Sequence, residues 1–162
     1  MGNADDTFDA IDEARRQFDD HGLDESRAMA ATISLVHAHQ VVSATVDAAL
    51  KPLDLTFARF EVLTLLSFSR TGALPTTKIG ERLLVHPTGV TKLVDKLEQR
   101  ALVVREPNPD DRRGVLVRVT PEGRSAARQA ADLLAEVRYG MDLSDRDLRD
   151  LFRLLGKLRP SG

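Results

Sequence analysis

The chain has 162 residues, 23 Lys/Arg against 25 Asp/Glu, and no cysteine. This length suits one domain, or one small domain with helical extensions; the lack of cysteine excludes disulfides, thiolate metal sites and a cysteine redox switch, and fits the cytoplasm as the expected location. No apolar run approaches the ~20 residues of a membrane span, and the acidic start Met1-Gly2-Asn3-Ala4-Asp5-Asp6 has no apolar core behind it, so it reads as no secretion signal.

In chain order, Phe8, Ile11, Ala14 and Phe18 recur near helical spacing and predict an amphipathic helix over residues 7–20, ended by His21-Gly22. Asp24 or Ser26 then caps a helix running to about Leu50, whose apolar residues (Met29, Ile33, Val36, Val41, Val42, Val46) wrap more than one face. Such a helix has more than one partner, which points to subunit packing as well as core packing. Pro52 stops it. Thr56 caps the next helix, with Phe57, Phe60, Leu63, Leu66 and Phe68 as its apolar set and Gly72 as its close. Pro75-Thr76-Thr77 opens a short helix with Ile79 and Leu83 inward; Leu84-Val85-His86 is a turn, and Pro87 suits the first turn of the following helix.

That helix, residues 87–100, places Val90, Leu93, Val94 and Leu97 at i, i+3, i+4, i+7, so they face the core. Thr88, Thr91, Lys92, Asp95 and Lys96 are left on the opposite face. Val103-Val104-Arg105-Glu106 reads as a strand, residues 107–114 as a turn-rich loop carrying Arg112 and Arg113, and 115–119 as the returning strand. Thr120-Pro121-Glu122 starts a helix to about Tyr139, and Ser144-Asp145-Arg146-Asp147 starts a last one with the stripe Leu148, Leu151, Phe152, Leu155 and Leu158. The expected fold class is mainly α (α+β): a winged helix-turn-helix core with long N- and C-terminal helices, which the resemblance described below makes dimerisation helices. The expected divisions are an extension helix (1–22), a dimerisation helix (23–51), the DNA-binding domain (52–120) and C-terminal dimerisation helices (121–162).

A net charge of −2 is unusual for a DNA binder until it is divided. Residues 74–124 hold 10 Lys/Arg against 7 Asp/Glu, a net of +3, while residues 1–27 hold 3 against 9, a net of −6. The basic segment can meet phosphate with the acidic one turned away.

Two motifs in this segment resemble those of the multiple-antibiotic-resistance regulators, the MarR family. Asp111-x-Arg113-x-x-x-Val117-x-Val119-Thr120 followed by Pro121-Glu122-Gly123 is similar to the family's wing, with Val119 where leucine is common. Val90-Thr91-Lys92-Leu93-Val94-Asp95-Lys96-Leu97-Glu98 is similar to its recognition helix, and the resemblance runs from about Ala28 to the C-terminus. It implies a homodimer that binds double-stranded DNA at palindromic operators and releases it when a small ligand binds, often a phenolic or aromatic acid. The chain departs from the family at Leu84, where glycine is common, which speaks against a left-handed residue in the turn. The helix of residues 7–20 resembles an extension of the urate-responsive subgroup, but that subgroup's ligand set includes a tryptophan and this chain has none, so urate is not carried over.

Thr88, Thr91 and Lys92 are the candidates for reading the major groove, since hydroxyls, a Thr methyl and an ammonium meet base edges and phosphates. Gly89 permits close backbone approach, and the helix start at His86-Pro87 offers free N–H groups to phosphate. Arg112 and Arg113 suit a narrow minor groove, with Asp111 steadying one of them. Lys78, Lys96 and Arg105 are candidate phosphate contacts. For an effector, the resemblance places a pocket between the dimer helices and the DNA-binding lobe, with His39, Phe60, Glu61 and Thr64 as candidate lining.

Of the four histidines, His37 and His39 lie two apart in a helix and point about 200° away from each other, so they cannot hold one ion together. No metal, cofactor or membrane partner is expected, and no nucleophile pattern or glycine-rich phosphate loop supports an enzyme. The alternative is a winged-helix protein-interaction module without DNA binding.

Overall fold

A computed structural model of the chain describes residues 9–22, 26–109, 111 and 114–159. Its architecture is the expected winged helix-turn-helix with flanking helices. The residues fall into two compact units, Met1–Ala44 and Thr45–Gly162, each taken by itself.

In the first unit, α1 spans Ala10–Asp20. Asp9 caps it, its carboxylate accepting from the N–H groups of Ile11 at 2.9 Å and Asp12 at 3.2 Å. Residues 7 and 8 of the expected helix lie outside the described residues, as does Asp24. Ser26 begins α2 (Ser26–Leu50) rather than standing before it, and the end of this helix from Thr45 on belongs to the second unit. The buried Ser26 hydroxyl donates to the Asp19 carboxylate, which ties α1 to α2. Leu35, Val36 and Val41 along α2 are exposed.

In the second unit, Pro52 forces a single 3₁₀ turn at Lys51–Leu53. Thr56 caps α3 (Phe57–Phe68). The period of α3 buries Phe60, Val62, Leu63 and Leu66 but leaves Phe57 partly exposed and Phe68 85% exposed, so two of the five residues of its apolar set lie off the core. Strand β1, Ala73–Pro75, was not expected: three residues carry no readable alternation. It forms because the outer edge of the returning strand needs partners. With β2 (Val103–Pro107) and β3 (Val115–Val119) it makes an antiparallel sheet in the order β1-β3-β2. Leu74 pairs with Val117, and Arg105 pairs with the same residue from the other side.

Helices α4 (Thr76–Leu83) and α5 (Pro87–Glu98) lie between β1 and β2 in sequence. The core beneath them is Ile79, Val90, Val94 and Leu97 against Leu63, Leu66, Val103 and Val117, all essentially inaccessible to water. Helix α6 (Pro121–Glu136) is capped by Thr120 and buries Ala127, Ala130 and Leu134. It ends three residues short of the expected Tyr139, because Arg138 and Tyr139 both adopt left-handed backbone (φ 48° and 53°). Ser144 caps α7 (Asp145–Gly156), none of whose residues is buried.

Candidate nucleic-acid interface

The helix-turn-helix is closed by a left-handed residue. Leu84 has φ 55° and ψ 36°, contrary to the expectation drawn from its being leucine. Its N–H and that of Val85 both reach the Gly80 carbonyl, which ends α4 and turns the chain toward α5. The two helices touch at Gly80, where a Cβ would lie 2.9 Å from the Val85 carbonyl oxygen and 3.3 Å from Val90. Close approach of the helices thus holds Leu84 in a conformation that costs a side-chain-bearing residue about 1 kcal/mol.

His86 caps α5: its Nδ1 accepts from the Thr88 N–H at 3.4 Å, and Pro87 fills the first turn. With Val90, Val94 and Leu97 buried, Thr88, Thr91, Lys92 and Lys96 are exposed together on the outer face. The Thr91 hydroxyl donates to the Pro87 carbonyl at 3.2 Å, and Lys96 reaches Gln99 at 3.3 Å. Lys78, on α4, pairs with Glu81 at 2.7 Å. Lys92 and Thr88 make no side-chain hydrogen bond or ion pair among the described residues, so their polar groups are unspent. Thr76 and Thr77, read from sequence only as a helix start, line one concavity of about 440 Å³ with Glu81, Val85, Pro87 and Thr91. A pair of hydroxyls at a helix start was the signal available for including them.

Arg105 behaves differently from the other expected phosphate contacts. Its guanidinium bonds Glu98 and, at 2.5 Å, Asp95, both on α5, while its backbone N–H donates to Glu98 at 3.1 Å. Burial works against its charge, but the hydrogen bonds it donates to Asp95 and Glu98 outweigh that and raise its pKa. Arg105 therefore anchors the wing to α5, and its charge is spent inside the protein. On the central strand β3, Arg118 pairs with Glu106 of β2 at 2.8 Å and donates to the carbonyl of Thr71, just before β1, at 2.8 Å. The Arg118 hydrogen bond holds the Glu106 carboxyl below its ordinary range.

At the wing tip, Asn108 N–H donates to Gly114 O at 3.2 Å and Gly114 N–H to Asp111 O at 2.9 Å. A Cβ on Gly114 would lie 3.0 Å from both the Asn108 amide and the Asp111 carboxylate, so these side chains close over the glycine. Arg112 and Arg113 lie outside the described residues.

Of the candidate effector residues, Phe60, Glu61 and Thr64 line one recess of about 370 Å³ on α3, together with Phe57, Phe68 and Leu83. Burial raises the Glu61 carboxyl above its ordinary value. His39 belongs to the other unit, with Nδ1 3.4 Å from the Ser43 hydroxyl. A second recess of about 280 Å³ lies between α3 and α6, lined by Thr64, Ser67, Phe68, Arg124, Ala127 and Arg128. The hydroxyls of Thr64 and Ser67 are buried there without a hydrogen-bond partner among the described residues. Sequence reading missed Ser67, Arg124 and Arg128, because their convergence exists only once α6 packs on α3.

Residues 55–115 match the profile of the MarR family. Over 111 residues the chain is 32% identical to the uncharacterized HTH-type transcriptional regulator YhbI of Bacillus subtilis, covering 67% of this chain and 71% of that protein. Among solved structures, it is similar to Sco5413, a MarR family transcriptional regulator from Streptomyces coelicolor, with 42% identity, a TM-score of 0.77, and 82% and 93% of the two chains covered. It is also similar to a mutant MarR from Escherichia coli complexed with operator DNA, at 28% identity and a TM-score of 0.72, with 85% and 99% covered.

Proposed function

The chain belongs to the MarR family of transcriptional regulators, and from that premise we propose that it is a homodimeric repressor that holds a palindromic operator and lets go when a small molecule binds. The observation that carries the DNA-binding face is the outer side of α5, where Thr88 and Lys92 stand exposed with no internal partner among the described residues. Beside α5 is a wing fixed to it through Arg105. In this reading Thr88, Thr91 and Lys92 enter the major groove and His86-Pro87-Thr88-Gly89 offers N–H groups to phosphate. Arg112 and Arg113 reach the minor groove. Lys78 and Lys96 are flanking phosphate contacts that exchange weak surface pairings for DNA.

Dimerisation is supported by large apolar side chains exposed on the surface: Phe152 and Leu158 on α7 and just after it, and Leu35 and Val36 on α2. Two copies would set their α5 helices about 34–36 Å apart, one turn of duplex. Release follows by linkage: a ligand that prefers the dimer shape with misplaced α5 helices lowers operator affinity by the ratio of its two affinities. The recess between α3 and α6 supports a phenolic or aromatic acid as the releasing ligand. Arg124 and Arg128 suit its carboxylate, and the idle Thr64 and Ser67 hydroxyls suit its ring substituent.

The test is a mobility shift with the palindromic DNA upstream of the gene, at the dimer mass given by sedimentation. A shifted band that Lys92→Ala and Arg113→Ala each weaken supports the reading. A folded dimer that shifts no upstream DNA would overturn it in favour of the winged-helix interaction module.

A further inference from the structure

We propose that the recess on the outer side of α3, formed by Phe57, Phe60, Glu61, Thr64, Phe68 and Leu83, is a binding site for an organic cation, an aryl or alkyl ammonium held by the Glu61 carboxylate against phenylalanine rings. Three of the six phenylalanines of the chain converge on this one recess. Phe57 and Phe60 have centroids 5.8 Å apart with their planes tilted by 35°, so two ring faces are presented at an angle rather than stacked on each other. Phe68 contributes a third ring and is 85% exposed, so it gains little from the protein's own packing.

Glu61 is the only ionisable group among the described residues of the lining. It makes no hydrogen bond or ion pair among the described residues, and it is half-buried against apolar side chains. Rings carry negative charge on their faces, and a carboxylate adds a full one; together they attract a weakly hydrated cation and repel an anion. A volume of about 370 Å³ lies within the range of small-molecule sites. The lone carboxylate raised by desolvation is then explained, since a bound ammonium supplies the charge it lacks. This recess differs from the one between α3 and α6 in the sign of its charged residues, although Thr64 and Phe68 border both. Only the consequence for DNA rests on the reading as a releasable repressor; the binding itself rests on the recess.

The test is titration calorimetry of the full chain at low salt with benzyltrimethylammonium, with benzoate as the anion of similar size. The cation is expected to bind, Glu61→Gln to weaken it at least tenfold, and Phe68→Ala at least fivefold, with melting curves showing both variants folded. Benzoate is expected not to displace the cation. Binding of benzoate in competition with the cation, or undiminished cation binding by Glu61→Gln, would overturn the proposal. So would a recess filled by a second copy of the chain, seen as no cation binding and a changed sedimentation mass in Phe68→Ala. Cation binding that leaves operator DNA bound sustains the site while removing it from the release mechanism. Release of DNA by an aromatic acid, with no cation bound at any concentration, overturns the site and leaves release standing.

Discussion

Replacing Gly123 with alanine should cost far more than the same change at Gly89, although both glycines sit in the first turn of a helix. A Cβ on Gly123 would lie 2.0 Å from the Leu102 carbonyl oxygen, 3.0 Å from its carbonyl carbon and 2.9 Å from Val119. The obstacle is backbone, so the start of α6 must lift away. Lifting it strains the bonds that bind the start of α6 to the turn before β2: Thr120 N–H to Leu102 O at 3.1 Å, and the Thr120 hydroxyl to the carbonyls of Ala101 and Leu102 at 2.8 and 3.0 Å. Overpacking costs about 1–3 kcal/mol, and each weakened hydrogen bond about 0.5–1.5 kcal/mol. The expected loss is therefore about 3–5 kcal/mol, a large part of a total stability of about 5–15 kcal/mol. At Gly89 the Cβ would meet only Val85 Cγ1, at 2.7 Å, the end of a side chain that can change rotamer. Alanine's helix propensity returns about 1 kcal/mol there, so the net change should lie within about 1 kcal/mol of zero. Urea unfolding followed by circular dichroism, with equal m-values, measures both. Equal stability losses in the two variants, or a Gly123→Ala loss under about 1 kcal/mol, would refute the reasoning.

Leu84→Gly should stabilise the protein by up to about 1 kcal/mol, because glycine adopts the left-handed turn without strain and the exposed leucine gives up little contact; a lower urea midpoint would contradict the turn geometry. Glu61 has its carboxyl raised by burial, so the folded state holds a proton that the unfolded state releases first, and stability falls as pH rises through that window. Glu61→Gln should thus melt higher than the parent near pH 7, with the difference shrinking once pH falls below the ordinary carboxylate range; a gap independent of pH would contradict this. Arg105→Ala leaves Asp95 and Glu98 facing each other without a cation and should cost about 1–2 kcal/mol after screening. Because that charge is spent internally, the salt dependence of operator binding should keep its slope, and a reduced slope would return Arg105 to the phosphate contacts.

The parts of the fold legible in the sequence are those written in local chemistry. Thr56, Thr120 and Ser144 each cap the helix they announce, and Pro87 opens α5. The period of Val90, Leu93, Val94 and Leu97 identifies the inner side of α5, on which Leu93 is only half-buried, and, by subtraction, the exposed threonines and lysines. What was not legible depends on tertiary partners. Arg105 looks like any exposed basic residue in a strand until the hairpin brings it to acids seven and ten positions earlier in the chain. Leu84 is left-handed because Gly80 lets two helices meet, a fact about the pair rather than about leucine. Phe68 continues an apolar pattern but falls just past the buried face of α3. Helix α6 stops at Glu136 with no glycine until Gly140, so propensity alone runs it too far. Arg112 and Arg113, central to the wing as read from sequence, lie outside the described residues.

The claim that α5 and the wing grip duplex together is tested most directly by operator affinity, from fluorescence anisotropy, as a function of salt for the parent chain, Lys92→Ala and Arg113→Ala. The parent should bind palindromic DNA with a steep linear fall of log affinity against log salt. Each variant should bind more weakly, with a slope shallower by about one contact per substituted side chain in each monomer. Parent-like affinity and slope in both variants would contradict the account.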